Sequence, residues 1–179
     1  VCLNVGCIPS KALLHVAKVI EEAKHIKNAG IFYEARKIDI KKVAEYKNGV
    51  VKKLTGGLDA MAKMRKVNHI QGYATFLDEH SVEVALTNSD EKTKVSFDYC
   101  IIAAGSQSSK MSFIPHEDPR IWDSTDALEV KEVPKKLLIL GGGIIGLEMG
   151  TVYSTLGSQV DVAIRGEQLM TGTDADLIK

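Results

Sequence analysis

Cysteine is scarce in this sequence, three in 179 residues. That is too few for a disulfide framework, so a close cysteine pair points instead toward metal or redox chemistry. Net charge is absent as well: Lys plus Arg and Asp plus Glu both number 23, leaving no global field to concentrate nucleic acid or an anionic membrane. No uninterrupted run approaches the roughly 18 apolar residues of a membrane span, and no basic-then-apolar leader opens the chain. The expectation is a cytoplasmic protein with no nucleic-acid partner and no membrane span. Repeats and low-complexity tracts are also lacking. What is present, 45% hydrophobic and 26% charged residues with 15 glycines, is the make-up of an ordinary globular protein, one large domain or parts of two. The sequence starts without Met inside an apparent motif and stops at Asp174 to Lys179 in what reads as a helix start. A fragment of a longer protein is expected.

From Pro9 onward Leu13, Val16, Ala17, Ile20, Ala23 and Ile26 recur at three- and four-residue spacing, which lays one apolar stripe along a helix. Pro9 suits its first turn, and Asn28-Ala29-Gly30 ends it. Asp39 introduces a second, lysine-rich helix over Ile40 to about Lys66, with a break or kink expected at Gly56-Gly57 and the lysines on its solvated face. The period then shifts toward two. HIQGYATF, SVEVAL, KTKVSF and YCIIAAG read as four strands, with Asn88-Ser89-Asp90 as a turn: a small β-meander, antiparallel until its last strand. Three of the four prolines fall between Gln107 and Pro134, a connector in which Ser124 or Asp123 caps a short helix through Leu128. LLIL, a glycine loop, an apolar helix through about Leu156 and QVDVAI then form a strand, helix, strand unit with parallel pairing.

In LLILGGGIIGLEMG, Gly141, Gly143 and Gly146 satisfy the G-x-G-x-x-G pattern between a strand and a helix. In that setting Gly141 permits the tight turn, Gly143 lets a pyrophosphate approach the backbone, and Gly146 lets helix and strand pack closely. The helix N-terminus adds free N–H groups and the positive end of its dipole. Gly142, Ile144 and Ile145 complete the loop and first turn. The pattern's last element is an acidic residue about 20 positions on, which holds the ribose hydroxyls. Its place is taken by Ile164, followed by Arg165; an apolar residue accepts no hydrogen bond, and an arginine accommodates a 2′-phosphate. NADP use is therefore an open hypothesis beside NAD, opposed by the nearby carboxylates Asp161 and Glu167.

Cys2 and Cys7 admit three readings: zinc, a structural bridge or redox catalysis. A zinc site needs about four ligands, and the chain offers besides only Cys100 in an apolar strand, read as packing, and five scattered histidines. A disulfide wants Cα atoms roughly 4.4 to 6.8 Å apart, whereas five residues of regular helix rise about 7.5 Å. Any bridge thus requires a bent segment, which Gly6 permits, and such a short loop makes a poor staple and a good electron acceptor. Cys7 lies at the start of the Pro9 helix, where the dipole favours a thiolate, and Lys11 follows by four residues on the same face.

These residues carry a resemblance. CLNVGCIPSK, from Cys2 to Lys11, is similar to the redox-disulfide motif of the flavin-dependent disulfide reductases, with the Ile-Pro-Ser-Lys ending of their dihydrolipoyl-oxidising branch. IPHEDPRIWDSTDAL and GGGIIGLEMGTVYSTLGS resemble the same branch. The resemblance implies an α/β fold of FAD- and NAD(P)-binding Rossmann-like domains, present here in part. Residues 1–107 would belong to the FAD-binding domain, 108–133 to a connector, and 134–179 to the first half of the NAD-binding domain. It implies a homodimeric enzyme using FAD and NAD to oxidise dihydrolipoamide on the lipoyl-bearing acyltransferase subunits of 2-oxo acid dehydrogenase complexes. Cys2 would exchange with substrate thiols and Cys7 face the flavin, the two forming the redox disulfide. Lys11 would lie beside the flavin and pair with Glu148 as a buried charge pair. Ala74, Ala103, Ala104, Gly105 and Ser106 would line FAD, and Gly141 to Gly146 with Glu148, Ile164 and Arg165 the nicotinamide dinucleotide. Two departures stand out: Ile164 occupies the place of a ribose-binding glutamate, and Gln107-Ser108-Ser109 that of an Arg-Pro. The family's FAD-pyrophosphate glycine motif and its catalytic His and Glu would lie outside this stretch. Rival readings are an NADPH-dependent disulfide reductase and a non-catalytic binding subunit.

Overall fold

The computed structural model describes residues 1–34 and 37–178; Lys179, the end of the expected terminal helix, lies outside them. The chain divides into two compact units, Val1–Thr55 with Gln107–Lys179, and Gly56–Ser106.

The first unit is built on α5 (Ile144–Leu156), flanked by strands β4 (Lys136–Leu140) and β5 (Gln159–Ala163). The strands pair in parallel from Lys136 opposite Gln159 to Leu140 opposite Ala163. Helices α1 (Cys2–Val5) and α2 (Cys7–His25) open the unit, and a 3-10 turn, Ile26–Ala29, closes α2 with Gly30 at φ 84°. The apolar stripe read from Pro9 onward packs Leu13 against Met149, Val152, Tyr153 and Leu156 of α5. A stripe specifies that a face is buried but not against what; the partner is α5. Short helix α4 (Ser124–Glu129) is capped by Asp123, whose carboxylate accepts from the Thr125 and Asp126 amides. It contributes Leu128 to the same core. Tyr153 is fully buried, donates to the Ala127 carbonyl at 2.7 Å and rests on Trp122 at a ring separation of 5.8 Å. Burial pushes its phenol up to about 12, so it remains a neutral donor.

Helical residues Cys2–Ala29 include an 18-residue window of mean hydropathy 1.2, long and apolar enough to cross a membrane by length and composition alone. Here the apolar face of α2 has a protein partner, with Leu13 and Ala17 buried.

Helix α3 (Ile40–Met64) runs unbroken through Gly56-Gly57, contrary to the expected kink. Glycine costs about 1 kcal/mol of helix propensity relative to alanine, which the surrounding hydrogen-bond ladder tolerates. Its lysines face solvent with one exception: Lys47 is buried. Burial lowers the pKa of its ammonium, opposed by Glu129.

In the second unit β1 (Gly72–Asp78), β2 (Ser81–Leu86) and β3 (Lys92–Ser96) form an antiparallel meander. Asp78 closes the first turn, accepting from the His80 amide and the Ser81 hydroxyl. The fourth expected strand, YCIIAAG, is irregular, and Tyr99 and Ile101 are 94% and 92% exposed. A run apolar on both faces needs neighbouring strands, and none of the described strands pairs with it. Cys100 is exposed there rather than packed.

Candidate dithiol and dinucleotide site

The bend required between the cysteines is present. Helix α1 stops at Val5, Gly6 turns the chain at φ −144° and ψ −116°, and α2 restarts at Cys7. A Cβ at Gly6 would lie 3.1 Å from the Cys2 Cα, so this position folds closely over Cys2 and has little room for a side chain. Both cysteines are exposed thiols, joined through a side-chain hydrogen bond. That bond is the main reason the Cys7 pKa is raised; loss of hydration and the charge of Cys2 add to it, while Lys11 opposes it weakly. Among the described residues no group of three His, Cys, Asp or Glu side chains gathers to hold a metal ion.

One turn along α2, Lys11 donates to Glu148 Oε1 at 2.5 Å across 137 positions of sequence. This hydrogen bond is the largest cause of the raised Lys11 pKa. The expected pair is thus formed, but it is not buried: Glu148 is 14% exposed and Lys11 62%. The carboxylate is the fixed partner and the lysine reaches toward it from an open face that also exposes Cys7.

Glu148 stands on α5, the helix headed by the glycine loop. The Gly141 amide extends the β-ladder by donating to the Ala163 carbonyl at 2.8 Å, and its φ of 115° suits only glycine. A Cβ at Gly146 would lie 2.5 Å from the Gly141 oxygen and 3.1 Å from Ile139 Cγ2, so strand and helix approach only because it is glycine. Gly143, the N-cap, has open space where a Cβ would stand, and no side chain caps the first turn. The cradle fits a pyrophosphate: the leading amides of α5 lack a side-chain acceptor, and the backbone at Gly143 is open to approach. Ile144 and Ile145 expose their side chains on this turn.

Two features escaped the sequence reading. A Cβ on Gly142 would meet Leu169 at 2.5 Å and Ile164 at 2.7 Å, and the Met170 amide donates to the Gly142 carbonyl at 2.8 Å. The segment after β5 therefore folds back onto the loop, a long-range closure with no local signal except an isolated glycine. The close approach at Gly6 is the second. The first unit thus brings together Cys2, Cys7, Lys11, Glu148, Gly141 to Gly146 and Ile164. Ala74, on β1 opposite Val84, and the exposed Ala103, Ala104, Gly105 and Ser106 belong to the second unit. Gly105 makes a left-handed turn at φ 74°.

These features define a class: an α/β protein joining a dinucleotide-type strand, helix, strand unit to a dithiol at a neighbouring helix start. Residues 1–179 match the profile described as pyridine nucleotide-disulphide oxidoreductase, and the chain belongs to that family. It is 61% identical to a dihydrolipoyl dehydrogenase of Haemophilus influenzae over 178 residues, 99% of this chain and 37% of that protein. Identity to the dihydrolipoyl dehydrogenase of Vibrio cholerae is 61% over 179 residues, covering 100% and 37%. For Geobacillus stearothermophilus it is 42% over 177 residues, covering 99% and 37%. The chain spans 37% of the length of these relatives. Family and relatives imply FAD and NAD as cofactors.

Proposed function

We propose that the full-length protein is a dihydrolipoyl dehydrogenase, oxidising dihydrolipoamide through a Cys2–Cys7 disulfide and passing the electrons by way of FAD to a pyridine nucleotide. The observation that carries this reading is the Lys11–Glu148 pair, which ties the dithiol helix to the glycine-loop helix. In the oxidised protein, one substrate thiolate attacks the Cys2 sulfur; the Cys2–Cys7 bond breaks and Cys7 leaves as thiolate. The second substrate thiol then displaces Cys2 from the mixed disulfide, closing the lipoamide ring and leaving the enzyme dithiol. The substrate is oxidised by two electrons and the cysteine pair reduced by two.

FAD, when bound, supplies the two-electron acceptor between the dithiol and the nucleotide. Lys11 keeps a positive charge on the face exposing Cys7, and Glu148 holds that charge in place, its hydrogen bond favouring the ammonium form. The α5 amides and the glycine loop hold the pyrophosphate. The relatives' names support dihydrolipoamide as substrate; the family resemblance extends the proposal to 2-oxo acid dehydrogenase complexes, with lipoyl-bearing acyltransferase subunits as partners and a homodimer as the working form.

The test uses full-length protein. Adding dihydrolipoamide is expected to reduce the protein and produce a long-wavelength charge-transfer absorbance beside the flavin bands. Substituting Cys7→Ser is expected to remove that band and lower turnover by at least two orders of magnitude. Retention of full turnover by this variant overturns the proposal.

A further inference from the structure

The end of β5 is where a dinucleotide-binding unit distinguishes a free ribose 2′-hydroxyl from a 2′-phosphate. Strand β5 ends at Ala163, so Ile164 is the first residue beyond it. Side chains alternate along a strand. Val160 faces α5, since a Cβ on Gly150 would lie 3.7 Å from its Cγ1; Val162 and Ile164 follow it on that face, and Asp161 falls on the other. Ile164 itself abuts the glycine loop, its Cγ2 2.7 Å from a Cβ placed on Gly142. The residue beside the loop on the helix side is therefore an isoleucine, and Asp161 cannot substitute for it. Arg165 follows, exposed and outside every ion pair found among the described residues. Glu167 lies further along the exposed segment that returns to Gly142.

Resting on the dinucleotide reading above, we propose that this site prefers an adenine dinucleotide carrying a 2′-phosphate, with Arg165 pairing the phosphate and Ile164 replacing the hydroxyl acceptor. A carboxylate at position 164 would accept from the ribose hydroxyls and repel a dianionic phosphate; isoleucine does neither. A guanidinium offers forked donors matched to phosphate oxygens and keeps its charge at every working pH. The contrast between positions 164 and 165 thus favours the phosphorylated ribose from both sides, by removing the competing acceptor and supplying the cation.

The experiment measures calorimetric binding of adenosine 2′,5′-bisphosphate and of 5′-AMP to the full-length protein, two probes that differ only in the 2′-phosphate. The bisphosphate is expected to bind at least tenfold more tightly, with the advantage narrowing as salt is raised. Arg165→Ala should remove most of that advantage, and Ile164→Glu should shift preference toward 5′-AMP. Equal or tighter binding of 5′-AMP by the unmodified protein overturns the proposal, as does failure to bind either probe. The dithiol-induced charge-transfer band forms without added nucleotide. Its presence alongside a missing bisphosphate preference refutes the selectivity alone, whereas its absence refutes the function from which the selectivity was argued.

Discussion

The two compact units hold their shapes by different means. The first has a core of its own, with Leu13, Val130, Val152 and Tyr153 almost wholly excluded from water. It draws these residues from segments more than 100 positions apart in sequence. The second is a meander of short-range strand pairs, in which every residue of β1 is exposed and β2 buries only Ser81 and Val84. Its large apolar side chains, Tyr73, Phe76, Tyr99 and Ile101, are exposed. Non-local packing gathers chemistry: the dithiol, the Lys11–Glu148 pair and the glycine loop all belong to the unit with the core. Local pairing supplies a scaffold whose apolar side chains find little cover within it.

The strongest way to break this comparison is Tyr153→Ala. Removing a fully buried aromatic ring is expected to cost about 3 to 5 kcal/mol. Amide exchange should accelerate across α2, α4 and α5 while β1 to β3 retain their protection; equal acceleration in the meander would show that its stability is not local. A pair of glycine substitutions gives a smaller, sharper contrast. Gly146→Ala forces a Cβ against the Gly141 carbonyl and should cost about 1 to 3 kcal/mol together with most nucleotide affinity. Gly56→Ala places its Cβ in open space on a helix and should stabilise the protein by about 0.5 to 1 kcal/mol. Denaturant unfolding and nucleotide titration read both.

The smallest effect concerns proton affinity alone. The Cys7 pKa is raised from its ordinary 9.0 mainly by the bond with Cys2. In the reduced, flavin-free protein its alkylation rate should therefore rise with a midpoint above pH 9.0. Cys2→Ser removes the neighbouring sulfur that raises the Cys7 pKa and should bring that midpoint down, whereas Lys11→Met removes an opposing cation and should raise it. Mass-resolved labelling across pH checks both directions, and a Cys7 midpoint below 9.0 in the unmodified protein contradicts the assignment.

Much of this was legible in one dimension. The α2 stripe, the Gly30 stop, the Asp123 cap and the parallel strand, helix, strand unit all follow from local spacing and capping chemistry. Glycine roles at 141, 143 and 146 follow from the loop's place between strand and helix. Less legible were features set by distant partners. The Gly56-Gly57 break did not occur, because flanking turns carry a helix across two weak positions. YCIIAAG did not become a strand, because apolar composition cannot supply a neighbour to pair with. The buried lysine was not separable by pattern from the exposed ones around it.

By itself the sequence determined which residues could do chemistry: two cysteines separated by a glycine bend, a lysine one turn on, a phosphate-type loop, and an isoleucine-arginine pair where an acid is expected. Those properties belong to spacing and side-chain type. Only the tertiary structure decided that α2 packs on α5 and that Ile164 rather than Asp161 lies beside Gly142. Each of these depends on which faces are buried together, a choice made by long-range packing that no local pattern encodes.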